Sequence, residues 1–274
     1  MDLILDCREH HSFNESCHEI LVRSGIFNII KKETEEYTEF KEVSAPILNR
    51  HKFGGVSFIR INDKLIVFDT SFEKDKTLKL IETGIFDKYK PSLYIKYEPD
   101  NEISDLIGCK VTNWVMFPAN FSVVNNYIWK NHNHSFVSTL ASGRNSLKIL
   151  GRIPWFDKAN EYKNLFMTYV CSDPKTYFDS LRLSKFGVIL SIRRDKNTRE
   201  YEFISNHIPM AMNYCPVYPF SFEKDIHYKY VEKPDDLLAL QHIDPLPFHN
   251  RSKQLWDDYF RPDKAAALLL SSIG

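Results

Sequence analysis

The chain of 274 residues has no excess charge of either sign: Lys and Arg total 36, as do Asp and Glu. With zero formal net charge it carries no bulk field that would draw it to nucleic acid or to an anionic membrane, so any phosphate binding must be local. It also lacks an apolar run of the length needed to cross a bilayer. The acidic start Met1-Asp2, followed by a strand-like pattern, does not read as a signal peptide. Cysteine is sparse, and Cys7, Cys17, Cys109, Cys171 and Cys215 are scattered and odd in number. That argues against a secreted disulfide framework, and the expected location is cytoplasmic. The sequons at Asn14, Asn120, Asn133 and Asn250 would matter only in a secretory lumen.

Two nucleotide-binding patterns are also missing. Neither G-x-x-x-x-G-K-[ST] nor G-x-G-x-x-G occurs, which disfavours the usual kinase and dinucleotide-dehydrogenase readings. There is no internal repeat and no low-complexity segment. Hydrophobic residues at 43% and charged residues at 26% are ordinary for a folded protein.

What is there is an alternation of strands and helices. Leu3-Ile4-Leu5 opens as a strand, a polar loop passes through His10 and His11, and Glu15 to Arg23 has a helical pattern that stops at Gly25. Ile26 to Ile30 reads as a second strand. Val56 to Ile61 and Leu65 to Asp69, separated by Asn62-Asp63, read as a hairpin or two adjacent strands. Phe72 to Thr83 is a helix, and Leu93 to Tyr97 and Val111 to Phe117 are strands.

The second half repeats the pattern. Phe136 to Leu140 is a strand leading into Ala141-Ser-Gly-Arg-Asn145, then a helical run from Ser146 to Gly151 and a strand at Phe166 to Val170. Asp173 can cap a helix with Pro174 in its first position, where the missing N–H costs nothing. Gly187 to Ser191 is a strand, Arg199 to Asn206 a helix and Ile208 to Met212 a strand. Three further helical patterns cover 237–241, 250–260 and 263–272. The Ala265-Ala-Ala-Leu-Leu-Leu270 run is of a length suited to packing rather than to membrane anchorage. This is an α/β pattern, and two domains are expected, 1–130 and 131–274, with the boundary in Lys130-Asn-His-Asn-His134.

In open α/β sheets ligands bind beyond the carboxyl ends of the strands, where loops and helix N-termini offer N–H groups to phosphates. Gly143 in the loop after the 136–140 strand allows close backbone approach, and Arg144 can neutralise a diphosphate; the alternative is a solvated surface turn. A more specific pattern is Ser184-Lys-Phe-Gly-Val-Ile-Leu-Ser191, a polar loop, then Arg199-Glu-Tyr-Glu-Phe-Ile-Ser-Asn-His-Ile-Pro-Met210. A strand ending in small polar residues, an R-x-x-E helix and an I-P strand start together resemble the donor-binding segment of GT-B glycosyltransferases, the exostosin-like group in particular.

The resemblance runs over residues 136 to 270 and is specific between 184 and 210. It implies a GT-B fold: two Rossmann-like domains facing a cleft, acceptor-binding over 1–130 and donor-binding over 131–274, with the C-terminal helices packing back on the N-terminal domain. It implies that Glu202 accepts from the ribose hydroxyls of a nucleotide-sugar and that Arg199 lies near the diphosphate. Ser191, Arg193 and Tyr201 complete the expected donor site beside Arg144. The local alternative for Arg199 and Glu202 is an i, i+3 surface ion pair worth a few tenths of a kcal/mol. One departure stands out: Asn206-His207 replaces the glycine that the family places before I-P.

By the same resemblance the first half binds the acceptor, an oligosaccharide or other glycan. Asp69 is the first candidate for the general base of an inverting transfer, the alternative being a helix N-cap. His11, with His10, is the competing base. Glu98 and Asp100 are further strand-end carboxylates. Cys7, His10, His11, Cys17 and His18 have zinc-binding types but no paired C-x-x-C spacing. No D-x-D triplet of the metal-chelating kind occurs, so no metal and no cofactor are expected, and cationic side chains would stabilise the leaving diphosphate. Soluble virus-encoded xylosyltransferases are the nearest in style, which makes UDP-xylose the favoured donor. The rival reading is a non-catalytic carbohydrate-binding protein, with Trp114, Trp155, Tyr214 and Tyr218 lining a sugar groove.

Overall fold

The computed structural model describes residues 1–7, 12–48, 56–69, 74–96, 99–115, 122–142, 152–170, 173–191 and 198–274. The chain divides into two compact units. One comprises Met1–Pro118, Val217–Pro219 and Arg261–Gly274; the other comprises Ala119–Pro216 and Phe220–Phe260.

In the first unit the strands are β1 (Asp2–Asp6), β2 (Asn28–Lys32), β3 (Val56–Ile61), β4 (Lys64–Asp69), β5 (Leu93–Lys96) and β6 (Lys110–Thr112). They form a sheet of order β2-β1-β3-β4-β5-β6. The helices between them are α1 (Ser12–Arg23), α2 (Glu35–Leu48), α3 (Lys74–Glu82), α4 (Ile85–Lys88) and α5 (Asn101–Ile107). Strand–helix alternation alone would give a wholly parallel sheet. Here β3 runs antiparallel to both β1 and β4, because Asn62-Asp63 closes a two-residue hairpin with Ile61 opposite Lys64. Asn62 takes the left-handed conformation, φ 56°, that such a turn needs and that asparagine tolerates. Every residue from Leu65 to Asp69 and from Leu93 to Lys96 is buried, as expected of inner strands covered on both faces. Phe40 of α2 meets Phe58 of β3 edge to face at 4.3 Å, inside a cluster that also holds Val67, Leu80, Phe86 and Tyr94.

The second unit contains β7 (Phe136–Ser142), α6 (Ile153–Glu161), β8 (Phe166–Val170), α7 (Pro174–Leu181), β9 (Ser184–Ile189), α8 (Thr198–Ser205), β10 (Met210–Met212) and β11 (Lys229–Tyr230). Its sheet has the order β11-β10-β9-β7-β8 and each neighbouring pair is parallel. Asp173 caps α7 as its position suggests: its carboxylate accepts from the Thr176 N–H at 3.1 Å, with Pro174 in the first turn. Gly187 of β9 lies where α7 and α8 press closest. A Cβ there would stand 2.4 Å from Phe203 and 2.9 Å from Leu181. The turn before β10 is also close-fitting. Asn206 is wholly buried; its amide donates to the carbonyls of Val123 and Glu202 and accepts from the Tyr127 N–H. The left-handed residue there is His207, φ 56°, rather than Asn206.

Beyond β11 come α9 (Asp236–Ala239), a 3-10 turn (Leu240–His242), α10 (Leu246–Leu255) and a π-helical turn (Trp256–Phe260). The chain ends in α11 (Pro262–Ile273), which belongs to the first unit. Ala265, Ala266 and Leu269 of α11 are buried, and the Ala265 carbonyl accepts from the Trp114 indole at 2.7 Å. This is a packing helix, and no described helix is long and apolar enough to cross a membrane.

Candidate functional site

The strand order of the second unit creates a switch point. The chain leaves β7 toward β8 on one side, whereas β9, on the other side of β7, leads on to β10. At such a point the outgoing connections diverge and leave a crevice beyond the carboxyl ends of the two strands, the usual ligand position in this kind of sheet. Ser142 and Ile189 end those strands. Arg144 and Arg193 fall in the segments that follow, outside the described residues.

Two guanidinium groups lie within electrostatic reach of one another at this edge. Arg152, only 8% exposed, immediately precedes α6 and donates to the carbonyl of Leu190, the first residue after β9. Arg199, in the first turn of α8, sets its guanidinium carbon 4.5 Å from the centre of the Tyr177 ring, a cation–π distance. Burial, and after it the charge of Arg199, pushes Arg152 down to about 10. Like charges held together in a half-buried place repel, and the cost is recovered when a polyanion lies across both.

Glu202 follows Arg199 by three residues and therefore shares its side of α8. It is half-buried, and its charge, opposed by that of Arg199, acts on the buried Tyr177 hydroxyl, whose pKa is raised chiefly by burial. Arg199, Glu202 and Tyr177 thus form one cluster, with Arg152 beside it. Ser191 stands at the next position along the strand end, its N–H donating to the Asn213 side chain at 2.8 Å and so tying the end of β9 to that of β10. Tyr201 lies elsewhere: it is wholly buried against Trp256 and Phe260 at 5.8 and 6.0 Å.

Arg152 and Tyr177 were not singled out from sequence. The available signal was Gly151-Arg152 directly ahead of a helix with Pro154 in its first turn, a helix start that follows a strand in an α/β chain. Tyr177 carries no local signal, since its value comes from Arg199 on another helix.

In the first unit, Asp69 ends β4 and is wholly buried. Its Oδ2 accepts from the Thr77 hydroxyl at 2.7 Å, the Tyr94 hydroxyl at 2.8 Å and the Lys96 ammonium at 3.0 Å. Lys96 ends the neighbouring β5. The carboxylate therefore ties two strands to α3 through side chains. His10, His11 and Glu98 lie outside the described residues, and Asp100 caps α5 by accepting from the Glu102 N–H. Trp114, Trp155, Tyr214 and Tyr218 are all buried, so none of them offers an open stacking face. Among the described residues no group of three or more His, Cys, Asp or Glu side chains is placed to hold a metal ion.

No protein-family model matches this sequence, and no curated protein matches it. Among solved structures the chain is similar to TarM, at 12% identity over 73% of this chain and 46% of that one, with a TM-score of 0.46. It is similar to the pneumococcal O-GlcNAc transferase GtfA, solved with UDP and GlcNAc, at 11% identity, coverage of 71% and 47%, and a TM-score of 0.43. It is similar also to the GtfA/B complex at 10% identity, coverage of 71% and 48%, and a TM-score of 0.44. The chain thus spans just under half the length of each of these proteins.

Proposed function

We propose that the chain is a glycosyltransferase of the GT-B type that holds a nucleotide-sugar at the carboxyl edge of the second unit's sheet. The observation that carries this reading is the placement of Arg152, bonded to the Leu190 carbonyl beyond β9, and of Arg199, in the first turn of the helix that follows β9, at the switch point, with Glu202 on the same face of α8. Guanidinium forks suit the oxygens of a diphosphate, and a carboxylate one helical turn away suits a pair of ribose hydroxyls. Ser191 borders the same edge, and Arg144 and Arg193, which follow β7 and β9 in the sequence and lie outside the described residues, are assigned to donor binding with it. Tyr201 supports the helix from the core.

In the reaction, the bond between the sugar's anomeric carbon and the diphosphate oxygen breaks as an acceptor hydroxyl attacks that carbon. The hydroxyl's proton passes to a base, for which His11 is the candidate, because the Asp69 carboxylate is wholly buried and paired with Lys96. The charge left on the diphosphate falls on Arg152 and Arg199, which would make the transfer independent of a metal ion. UDP-xylose is the favoured donor and a glycan the favoured acceptor.

The test is a thermal-shift and calorimetric titration with UDP, GDP and their sugars, with and without a divalent metal ion, since a ligand that binds the native state raises its apparent stability. Binding of UDP or GDP is expected to weaken about 10- to 100-fold in Arg152→Ala and in Arg199→Ala, the equivalent of one lost charge-assisted contact. Glu202→Ala is expected to weaken ribonucleotides more than their 2′-deoxy counterparts. Absence of nucleotide binding in the wild-type chain overturns the proposal. Glycan binding without turnover of a sugar nucleotide would favour the non-catalytic alternative.

A further inference from the structure

Glu200 sits between Arg199 and Tyr201 on α8, yet its side chain takes a separate course. It is 0% exposed and accepts a hydrogen bond from the hydroxyl of Tyr214, itself 3% exposed. A buried carboxylate is costly unless it is hydrogen-bonded, so this pairing fixes both partners. Tyr214 stands just past the end of β10, next to Asn213, whose side chain receives the Ser191 N–H. Ser191 follows Leu190, the residue that receives the Arg152 guanidinium. The ends of β9 and β10 therefore bring Arg152 and the Glu200–Tyr214 pair to one place.

The bond to the Leu190 carbonyl fixes one nitrogen of the Arg152 guanidinium and leaves its other nitrogens to be oriented by their surroundings. Tyr214 and Tyr177 are phenols within electrostatic reach of it, and Tyr214, two residues past the Met212–Ile189 pair of β10 and β9, is the one hydrogen-bonded to a buried acid. Burial, and after it Glu200, holds the Tyr214 hydroxyl protonated well above its ordinary range, so it acts as a neutral donor.

We infer that Tyr214, locked by Glu200, is a positioning residue that aims Arg152 at the diphosphate of the bound nucleotide. The assignment rests on the nucleotide-sugar reading of this edge and names a residue that acts through Arg152 rather than by touching the ligand. It predicts an effect confined to the phosphates. Tyr214→Phe removes only the hydroxyl, and Glu200→Gln keeps a carbonyl oxygen to accept from it.

The experiment titrates wild type, Tyr214→Phe, Glu200→Gln and Arg152→Ala with UDP, GDP, uridine and guanosine, by calorimetry for the nucleotides and by NMR for the nucleosides. Circular dichroism checks that each variant is folded. Tyr214→Phe is expected to bind the nucleoside diphosphate about ten-fold more weakly, with nucleoside affinity unchanged. Glu200→Gln is expected to stay within about three-fold of wild type. Tyr214→Phe in an Arg152→Ala background is expected to add no further loss, because its route of action is gone. Unchanged diphosphate affinity in Tyr214→Phe, or equal losses for nucleotide and nucleoside, overturns the assignment while leaving the nucleotide reading intact. A wild-type chain that binds neither UDP nor GDP overturns that reading and this inference with it.

Discussion

Lys96 and Asp69 form a buried ion pair, Nζ to Oδ2 3.0 Å, at the carboxyl ends of the adjacent parallel strands β5 and β4. Two further donors, Thr77 and Tyr94, complete the shell around the same oxygen. Removing one partner leaves the other charged in a dry site. Asp69→Ala or Lys96→Met is therefore expected to cost about 3–5 kcal/mol, and the double change Asp69→Leu/Lys96→Met to recover much of it. Urea unfolding followed by circular dichroism measures all of these. Additive losses would show that the pair carries no coupling.

Gly187 is where β9 admits α7 and α8 at close range. Gly187→Ala puts a methyl group 2.4 Å from Phe203, and relief requires ring and strand to part. A loss of about 1–3 kcal/mol is expected, readable as a lower urea midpoint with the slope unchanged. Phe203→Leu, by making room, is expected to reduce that loss.

Acid is expected to weaken the first unit through His18. Burial, followed by the nearby charge of Lys31, lowers its pKa to about 4 from an ordinary 6.5. The folded state thus resists a proton that the unfolded state accepts. Stability from this group is fully present above about pH 6.5 and declines as pH falls toward about 4, by roughly 3 kcal/mol in all. Comparing urea midpoints at pH 7.5 and 4.5 for wild type and His18→Leu checks it, since the variant should lose that part of the slope. His134 and His207 are lowered chiefly by burial too and add to the same trend in the second unit.

At the turn into β10, Asn206 joins three backbone groups through its amide, while His207 carries the left-handed angle. Asn206→Ala is expected to cost about 2–4 kcal/mol by stranding buried backbone groups. His207→Gly is expected to be nearly neutral, because glycine accepts that angle freely. His207→Val should cost about 1–2 kcal/mol more than His207→Gly. Chemical denaturation of the three variants ranks them, and an Asn206→Ala protein as stable as wild type would contradict this account of the turn.

The parts legible in the sequence were those fixed by neighbours along the chain. The cap Asp173-Pro174, the Asn62-Asp63 hairpin, the strand through Gly187 and the helix carrying Arg199 and Glu202 each rest on backbone geometry within a few residues. At the turn before β10, where Asn206-His207 replaces the family's glycine, the left-handed angle belongs to His207. A side chain that leaves to bond Val123 and Tyr127 has no local signature.

What the sequence by itself determined was the alternation of strands and helices through most of the chain, though not the helices Glu35–Leu48 and Ile153–Glu161, and the R-x-x-E spacing that sets Arg199 and Glu202 one turn apart, since helix pitch depends only on consecutive residues. Tertiary structure alone decided that β7 lies between β8 and β9, and that Arg152 reaches the strand end beside Arg199. It alone decided, too, that Tyr201 turns into the core and that Asp69 faces Lys96. Those outcomes follow from which apolar faces bury one another, a choice made among residues distant in the chain, and charge placement follows from that packing.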